Sequence, residues 1–274
     1  MSDEKSLKYN EPWILQRADP YVYRHTDGSY YFTASVPAYD GIVLRRAGTL
    51  AELSGAEEVM IWKKHESGPM SYHIWAPEIH YLFGKWYIYF AGGEAEDIWK
   101  IRPYVLECSG DDPLTDEWVE LGKMKRAAED EFSFEAFSLD ATVFENKGEY
   151  YYVWAEKVGV GKMISNLYIA KMESGNQLKT VQVLLTTPDY DWERKGFWVN
   201  EGPAVIHHDG KMFLTYSASE TGVDYCVGML SIDEDADILD PRLWKKERYP
   251  VLKTCEKLGI YGPGHNSFTV DEDG

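Results

Sequence analysis

One pattern of apolar and polar positions recurs along the chain: a short alternating run, a turn that contains glycine, and a second run rich in aromatic residues. Alternation with a period of two is typical of half-buried β-strands, and Asp-Gly between two such runs favours a hairpin because glycine tolerates positive φ. Helical structure is predicted only as short turns at Leu50–Leu53 and Pro241–Trp244. The pattern therefore predicts an all-β protein.

The hairpin pattern returns about every 60 residues, which identifies an internal repeat. Further strand-like runs lie between the hairpins, so each repeat holds about four strands, the content of one propeller blade. Asn266 stands at the matching place of a fifth repeat. The sequence therefore predicts that residues 1–274 form a single five-bladed β-propeller domain. Acidic residues open the first strand of the other four repeats: Asp19, Glu78, Asp140 and Glu201.

The last repeat is shorter than the others. It reads GHNSFTVDEDG from Gly264 and stops on the hairpin turn at Asp273-Gly274. Because a complete blade needs several more strands, the last blade is predicted to be truncated, with the C-terminal part of blade five missing. A strand from Ser6–Arg17 is expected to contribute to this blade.

Composition narrows the class of protein. The chain has no apolar run long enough to span a membrane, and Met1–Asn10 is polar with no apolar segment of the kind that signal peptides contain. Cys108, Cys226 and Cys255 are widely spaced and odd in number, which is untypical of a disulfide framework or a zinc site. These features together predict a cytoplasmic location.

Charge and aromatic content indicate the kind of partner. The formal net charge is −18, and an acidic surface repels phosphate backbones and anionic headgroups, so neither nucleic acid nor a membrane is an expected partner. Aromatic residues make up 15% of the chain. Most are expected to fill a β-rich core, and a few are left to provide flat faces on which sugar rings stack.

Three of the repeated acids predict a site. The first strand of each propeller blade lines the central channel, so Asp19, Asp140 and Glu201 are expected to converge on one mouth of it. Clustered carboxylates repel one another, and partial burial raises the pKa of at least one. A glycosidase needs this arrangement, with one protonated carboxylic acid and one ionised carboxylate. The alternative is that each acid merely caps a loop.

Five short motifs occur in a fixed order from Ala18 to the C-terminus. They are Ala18-Asp19-Pro20, Trp75-Ala76-Pro77-Glu78, Ser138-Leu139-Asp140-Ala141, Glu201-Gly202-Pro203 and Gly264-His265-Asn266. In these motifs the chain resembles glycoside hydrolase family 43, the five-bladed propeller arabinofuranosidases, arabinanases and β-xylosidases. Further segments resemble its exo-acting α-1,5-L-arabinofuranosidases.

The resemblance implies a role for each carboxylate. Asp19 corresponds to the general base that activates water, and Glu201 to the general acid that protonates the leaving oxygen. Asp140 corresponds to a third carboxylate that raises the pKa of the acid and orients it. The family inverts configuration, so the Asp19 and Glu201 carboxyl groups are expected about 6.5–9.5 Å apart, which leaves room for water.

Other residues are candidates for binding. Trp75 matches an aromatic that stacks on a sugar ring, and Glu220 matches a position that lines the site. Asn166 is a candidate to hydrogen-bond a sugar hydroxyl, with a role in a turn as the alternative. His265 matches a histidine near the propeller axis, where family members hold Ca²⁺ or another ion through water. No cofactor is expected to be required.

The function predicted from these residues is the inverting release of terminal α-L-arabinofuranosyl units from arabinan- or arabinoxylan-type oligosaccharides. A β-xylosidase of the same family is the nearest alternative, because the catalytic carboxylates are shared and the walls of the subsite decide. A non-catalytic carbohydrate-binding propeller is the alternative from another class. The expected partner is an oligosaccharide or polysaccharide, and the sequence indicates no oligomeric state.

Overall fold

A computed structural model describes residues 12–160 and 162–274. These residues form antiparallel hairpins that assemble into four sheets, so the all-β prediction is confirmed. Short 3₁₀-helices lie at Ala51–Ser54, Asp191–Glu193, Pro241–Leu243 and Glu256–Leu258, and the first and third overlap the predicted helical turns. No helix in the described part of the chain is long and apolar enough to cross a membrane.

Each sheet is one blade, with its strands numbered outwards from the inner edge. Blade one contains β1 (Ala18–Arg24), β2 (Tyr30–Ser35), β3 (Gly41–Ala47) and β4 (Val59–Lys63). Blade two contains β5 (Tyr72–Leu82), β6 (Lys85–Glu94), β7 (Asp97–Cys108) and β8 (Val119–Lys123). Blade three contains β9 (Ser138–Asn146), β10 (Glu149–Val160) and β11 (Lys162–Ser174), with β12 (Gln177–Leu178) and β13 (Val183–Thr186) both paired to β11. Blade four contains β14 (Asn200–His208), β15 (Lys211–Ala218), β16 (Cys226–Asp233) and β17 (Lys245–Lys246).

Aromatic side chains fill the spaces between neighbouring blades. The rings of Tyr31 and Trp86, from blades one and two, have centroids 4.8 Å apart. Tyr89 of blade two and Tyr152 of blade three meet edge to face at 5.5 Å. All four side chains are at least 98% buried. Burial of such large rings stabilises the blade interfaces, which explains most of the high aromatic content.

A left-handed residue lies near the start of each inner strand. The pairing register shifts beside each of them, as in a β-bulge. His265, with φ of 44°, repeats this conformation in the C-terminal segment. A non-glycine residue in this region costs about 1–3 kcal/mol, so its recurrence indicates a constraint shared by the repeats. The four residues in the blades are Asp19 (φ 53°), Ala76 (φ 47°), Asp140 (φ 44°) and Gly202 (φ 53°).

The left-handed position revises the alignment of the repeats. By this criterion Glu78 and Asn266 are not equivalent to Asp19. Glu201 precedes the equivalent residue of its own strand by one position. Glu78 is instead buried within blade two, where its Oε2 lies 2.9 Å from Nε2 of His80. The opening acids therefore do not form one equivalent set.

The predicted five-bladed fold with a truncated last blade is not confirmed. Residues 12–160 and 162–274 form four blade sheets, and the segment 264–274, matched to the fifth repeat, joins none of them. A blade needs several paired strands, and no described strand pairs with this segment. Residues 12–17 form no strand, and the remainder of Ser6–Arg17 lies outside the described residues.

The C-terminal segment connects blade four to blade one. The backbone N–H of His265 donates to Ser217 Oγ of blade four at 2.6 Å. The hydroxyl of Ser267 donates to the carbonyl of Pro20 in blade one at 2.7 Å. These contacts place His265 beside the inner strands, at the end where each left-handed residue lies.

The left-handed residue of β14 predicts a stability difference. We expect Gly202→Ala to lower the free energy of unfolding in urea by about 1–3 kcal/mol, because Gly202 has positive φ and a Cβ would lie 3.2 Å from Cγ of His265. Gly210→Ala is the matched control, since Gly210 also has positive φ but its Cβ would meet no atom within 4 Å. Equal losses in the two variants would contradict the role assigned to the His265 contact.

Candidate active site

Two carboxylates and an imidazole meet at equivalent positions of three repeats. His265 Nδ1 lies 3.0 Å from Asp19 Oδ1 and 3.7 Å from Asp140 Oδ2. The other two left-handed positions hold Ala76 and Gly202, whose small size leaves room for these side chains. The inner strands thus bring together groups that are far apart in sequence.

Asp19 is held as an ionised carboxylate. Ser35 Oγ donates to Asp19 Oδ2 at 2.6 Å and accepts from the backbone N–H of Ala76 at 2.7 Å. Burial would raise the pKa of Asp19, but the charge of His265 and the hydrogen bonds to His265, Ser35 and Ala76 outweigh it and lower the pKa below its usual value. Such a carboxylate is suited to accept a proton.

Glu201 has the opposite tendency. Burial raises its pKa, although a 2.8 Å hydrogen bond from the hydroxyl of Tyr225 and the nearby charge of His265 partly oppose the shift. Charges that act on Glu201 from other elements include Asp19 and Lys157. Two carboxyl groups with pKa values displaced in opposite directions provide an acid and a base in one site.

Asp140 is the most buried of the three, at 6% exposed. Burial and the negative charges of Glu201 and Asp19 raise its pKa well above the usual value, against the opposing charge of His265 and a backbone hydrogen bond from Gly202. Asp140 therefore favours the protonated form.

His265 carries the compensating charge. Burial alone would lower its pKa, but Asp19 and Asp140 raise it to about 10. His265 Nδ1 faces the carboxylate of Asp19 at 3.0 Å, so this nitrogen already has a partner in the site. Among the described residues no group of three or more His, Cys, Asp or Glu side chains is arranged to hold a metal ion. The ion on the propeller axis stays a prediction.

A cavity of about 360 Å³ lies beside these groups, and Glu201 is part of its wall. Trp75 and Glu220, both predicted to bind substrate, line it as well. Asn166 is buried on β11, where its Nδ2 donates to the hydroxyl of Tyr168 at 3.2 Å. Asn166 does not form part of this wall, so its contact with a sugar stays a prediction.

Several residues of the site had no recognisable motif. Tyr225 comes from the loop before β16, Ser35 ends β2 and Lys157 lies on β10, and only the fold brings them to the carboxylates. Lys157 Nζ lies 3.7 Å from the centre of the Phe137 ring, and both residues line the cavity. Trp198, which comes just before β14 of blade four, also lines the cavity. Aromatic rings from blades two and four therefore form part of its wall.

A propeller with carboxyl groups of opposed pKa beside an aromatic cavity has the features of a glycosidase. The chain belongs to the glycosyl hydrolases family 43, whose family model matches residues 9–274. The resemblance found in the five sequence motifs is therefore confirmed.

Known relatives extend over nearly all of the chain. An extracellular exo-α-(1→5)-L-arabinofuranosidase of Streptomyces avermitilis is 50% identical over 98% of this chain and 55% of its own length. A protein of the same name from Streptomyces chartreusis is 48% identical over 97% of this chain and 79% of its own. The crystal structure of an α-L-arabinofuranosidase from Lactobacillus brevis has a TM-score of 0.89 and 52% identity, covering 97% of this chain and 83% of that one. This chain thus spans about half the length of the Streptomyces avermitilis relative.

The expected cytoplasmic location is wrong. Both Streptomyces relatives are named extracellular enzymes. The expectation depended on the polar composition of Met1–Asn10 and on the spacing of three cysteines. The cysteine spacing does not decide location, because a propeller is stabilised by its blade interfaces and needs no disulfide in any compartment.

The charge on His265 predicts a pH-dependent stability. A raised pKa means that the ion pair stabilises the fold fully below pH 6.5, and that this contribution is lost as the pH rises to about 10. At pH 6.5 we expect His265→Gln to have a free energy of unfolding about 2–4 kcal/mol below that of the wild type, with the difference closing towards pH 10. Urea denaturation across this range measures it.

A matched control separates this effect from general titration. His208 is an exposed histidine, 74% exposed in its side chain. His208→Gln is expected to follow the wild type at every pH. A constant difference between His265→Gln and the wild type across the range would contradict the ion pair.

Proposed function

We propose that this chain is an inverting glycoside hydrolase that releases terminal α-L-arabinofuranosyl units from arabinan- or arabinoxylan-type oligosaccharides. The observation that carries the proposal is the pairing of Asp19 and Glu201, whose pKa values are displaced in opposite directions. The exo-α-(1→5)-L-arabinofuranosidase names of the relatives support the sugar and the mode of action.

The chemistry assigns one proton transfer to each carboxyl group. Ionised Asp19 removes a proton from water as the water attacks the anomeric carbon, and protonated Glu201 donates its proton to the departing glycosidic oxygen. Attack from the face opposite the leaving group inverts the configuration. The role of Asp140 in raising the pKa of Glu201 and orienting it stays a prediction, because Asp140 itself favours the protonated form in this structure. His265 balances the charge of Asp19 and keeps the base ionised.

The cavity wall supports a single sugar ring as the bound unit. Trp75 offers an indole face, and Glu220 offers a carboxylate that accepts hydrogen bonds from sugar hydroxyls. The partner is accordingly a carbohydrate. That nucleic acid and membranes are not partners depends on the net charge of −18 and stays a prediction.

We also infer that residues 264–270 take the inner-strand position of a fifth blade within one catalytic domain. His265 has the left-handed conformation of Asp19 and Asp140, and the segment contacts blades four and one. The circular arrangement of the blades supports this inference, because a further inner strand belongs between blades four and one.

The proposed function predicts different losses from two substitutions. Glu201→Ala is expected to abolish hydrolysis of arabino-oligosaccharides but to spare p-nitrophenyl α-L-arabinofuranoside, because a good leaving group needs no proton. Asp19→Ala is expected to abolish both, since each needs activated water. Rates on the two substrates measure the difference, and NMR of the first product formed by the wild type gives its anomeric configuration.

Three outcomes would contradict parts of the proposal. Equal losses of both variants on every substrate would remove the division of roles. Faster hydrolysis of p-nitrophenyl β-D-xyloside than of the arabinofuranoside would make the chain a xylosidase. Oligosaccharide binding with no turnover of either substrate would make it a non-catalytic binding propeller.

The hydrogen bond from Tyr225 predicts a pH shift. This bond lowers the pKa of Glu201, so its loss in Tyr225→Phe raises that pKa and keeps the acid protonated to higher pH. We expect the alkaline limb of kcat/KM to move up by about one pH unit. Lys157, Asp19 and His265 act on Glu201 in both proteins, so they do not contribute to the difference.

The phenylalanine ring preserves the packing of Tyr225. Tyr261→Phe is the matched control, because Tyr261 is 65% exposed. Its pH profile is expected to coincide with that of the wild type. An alkaline limb that stays in place or moves down in Tyr225→Phe would show that the hydroxyl does not act on the acid.

A further inference from the structure

We propose that an exposed group of aromatic rings on blade two binds the sugar units that lie beyond the one held in the cavity. This aromatic shelf consists of Tyr72, His73, Trp75 and Trp99. The inference rests on the proposed function and deepens it, because it gives a glycan chain a second place of contact next to the catalytic groups.

The shelf begins at the cavity and extends outwards. Trp75, which lines the cavity, has its ring centre 4.2 Å from that of His73. His73 in turn lies 5.1 Å from Trp99, with 33° between the ring planes. Tyr72 meets His73 edge to face at 4.4 Å. The rings therefore form one continuous surface from the catalytic cavity to the rim of the blade.

The backbone of blade two is shaped to hold these rings. A Cβ on Gly93 would lie 2.8 Å from the carbonyl oxygen of Ile98, so glycine is required where the β6–β7 hairpin folds back before Trp99. Lys100 and Glu94 join the two sides of the hairpin through a 2.9 Å ion pair. His73 has a left-handed backbone with φ of 50°. This conformation costs about 1–3 kcal/mol and persists only where the surrounding structure holds it.

The surface is open and has the chemistry of a site for neutral ligands. Trp99 is 60% exposed, and Tyr72 is 40% exposed. Burial lowers the pKa of His73, so its ring is uncharged, and its Nε2 is a buried polar atom with no hydrogen-bond partner among the described residues. Contiguous exposed aromatic surface of this kind marks a binding surface.

A second tryptophan of the site has a different environment. Lys162 and Arg194 both lie over the ring of Trp198, at 4.4 and 4.6 Å from its centre. In the described part of the chain no cation lies over Trp75 or Trp99 in this way. His73 packs against one side of each of these rings, and the remaining exposed surface of Trp99 is left for C–H groups of a neutral sugar. Continuity with the cavity assigns the occupant as the remainder of the same glycan.

The shelf predicts a dependence on chain length. Trp99→Ala is expected to leave kcat/KM for p-nitrophenyl α-L-arabinofuranoside unchanged, because this substrate has no second sugar unit to place on the shelf. For linear α-1,5-arabino-oligosaccharides of three or more units, kcat/KM is expected to fall about tenfold through a higher KM. Trp99→Phe is expected to restore most of the loss, since it keeps a flat ring.

Tyr249→Ala is the matched control, because Tyr249 is also an exposed aromatic residue, at 71%, and lies beyond the last strand of blade four. It is expected to behave as the wild type on all substrates. Equal losses of Trp99→Ala on short and long substrates, or no loss on either, would overturn the shelf.

Retardation in gels that contain linear arabinan tests binding without turnover when every protein carries Glu201→Ala. The shelf predicts that Glu201→Ala alone and Glu201→Ala with Tyr249→Ala are retarded more than Glu201→Ala with Trp99→Ala, and equal mobility of all three would overturn it. Failure of the proposed function is seen separately, as a wild type that hydrolyses no arabinofuranoside. The gel still reports on the shelf in that case.

Discussion

The site depends on one backbone conformation that recurs at the inner edge of the propeller. Each inner strand has a left-handed residue near its start, and the C-terminal segment repeats it at His265. Where that residue is Asp19 or Asp140, its carboxyl group reaches the imidazole. Where it is Ala76 or Gly202, the space is left free. The same strained turn thus places reactive groups at some positions and room for them at others.

The electrostatic surroundings then shift the pKa values of two similar carboxyl groups, Asp19 and Glu201, in opposite directions. Burial would raise the pKa of Asp19, but the cation of His265 and the hydrogen bonds from His265, Ser35 and Ala76 together outweigh it, so the pKa falls. Glu201 accepts a hydrogen bond from the hydroxyl of Tyr225, but no cation lies as close to it as His265 lies to Asp19. The effect of burial therefore dominates, and the pKa of Glu201 rises. The two carboxyl groups differ because of their neighbours, which come from separate blades and loops.

The aromatic residues serve two purposes that composition alone did not separate. Rings such as Trp86 and Tyr152 are buried between blades and hold the sheets together. Trp75 and Trp99 lie at the end of blade two beside the cavity, where burial is incomplete. The same residue type therefore stabilises the fold where it is buried between blades, and beside the cavity it remains accessible.

Sequence alone determined the strand-rich repeat and the resemblance to the family and supplied three candidate carboxylates, because hairpin turns and short motifs are local features. The sequence pattern wrongly aligned Glu78 and Glu201 with Asp19, because alternation of apolar and polar residues does not reveal a bulge that shifts the register. Only the tertiary structure decided that His265 pairs with Asp19, that Tyr225 contacts Glu201, and that the C-terminal segment contacts blades four and one without joining their sheets. Those features depend on contacts between residues far apart in the chain, and no local pattern of apolar and polar positions encodes them.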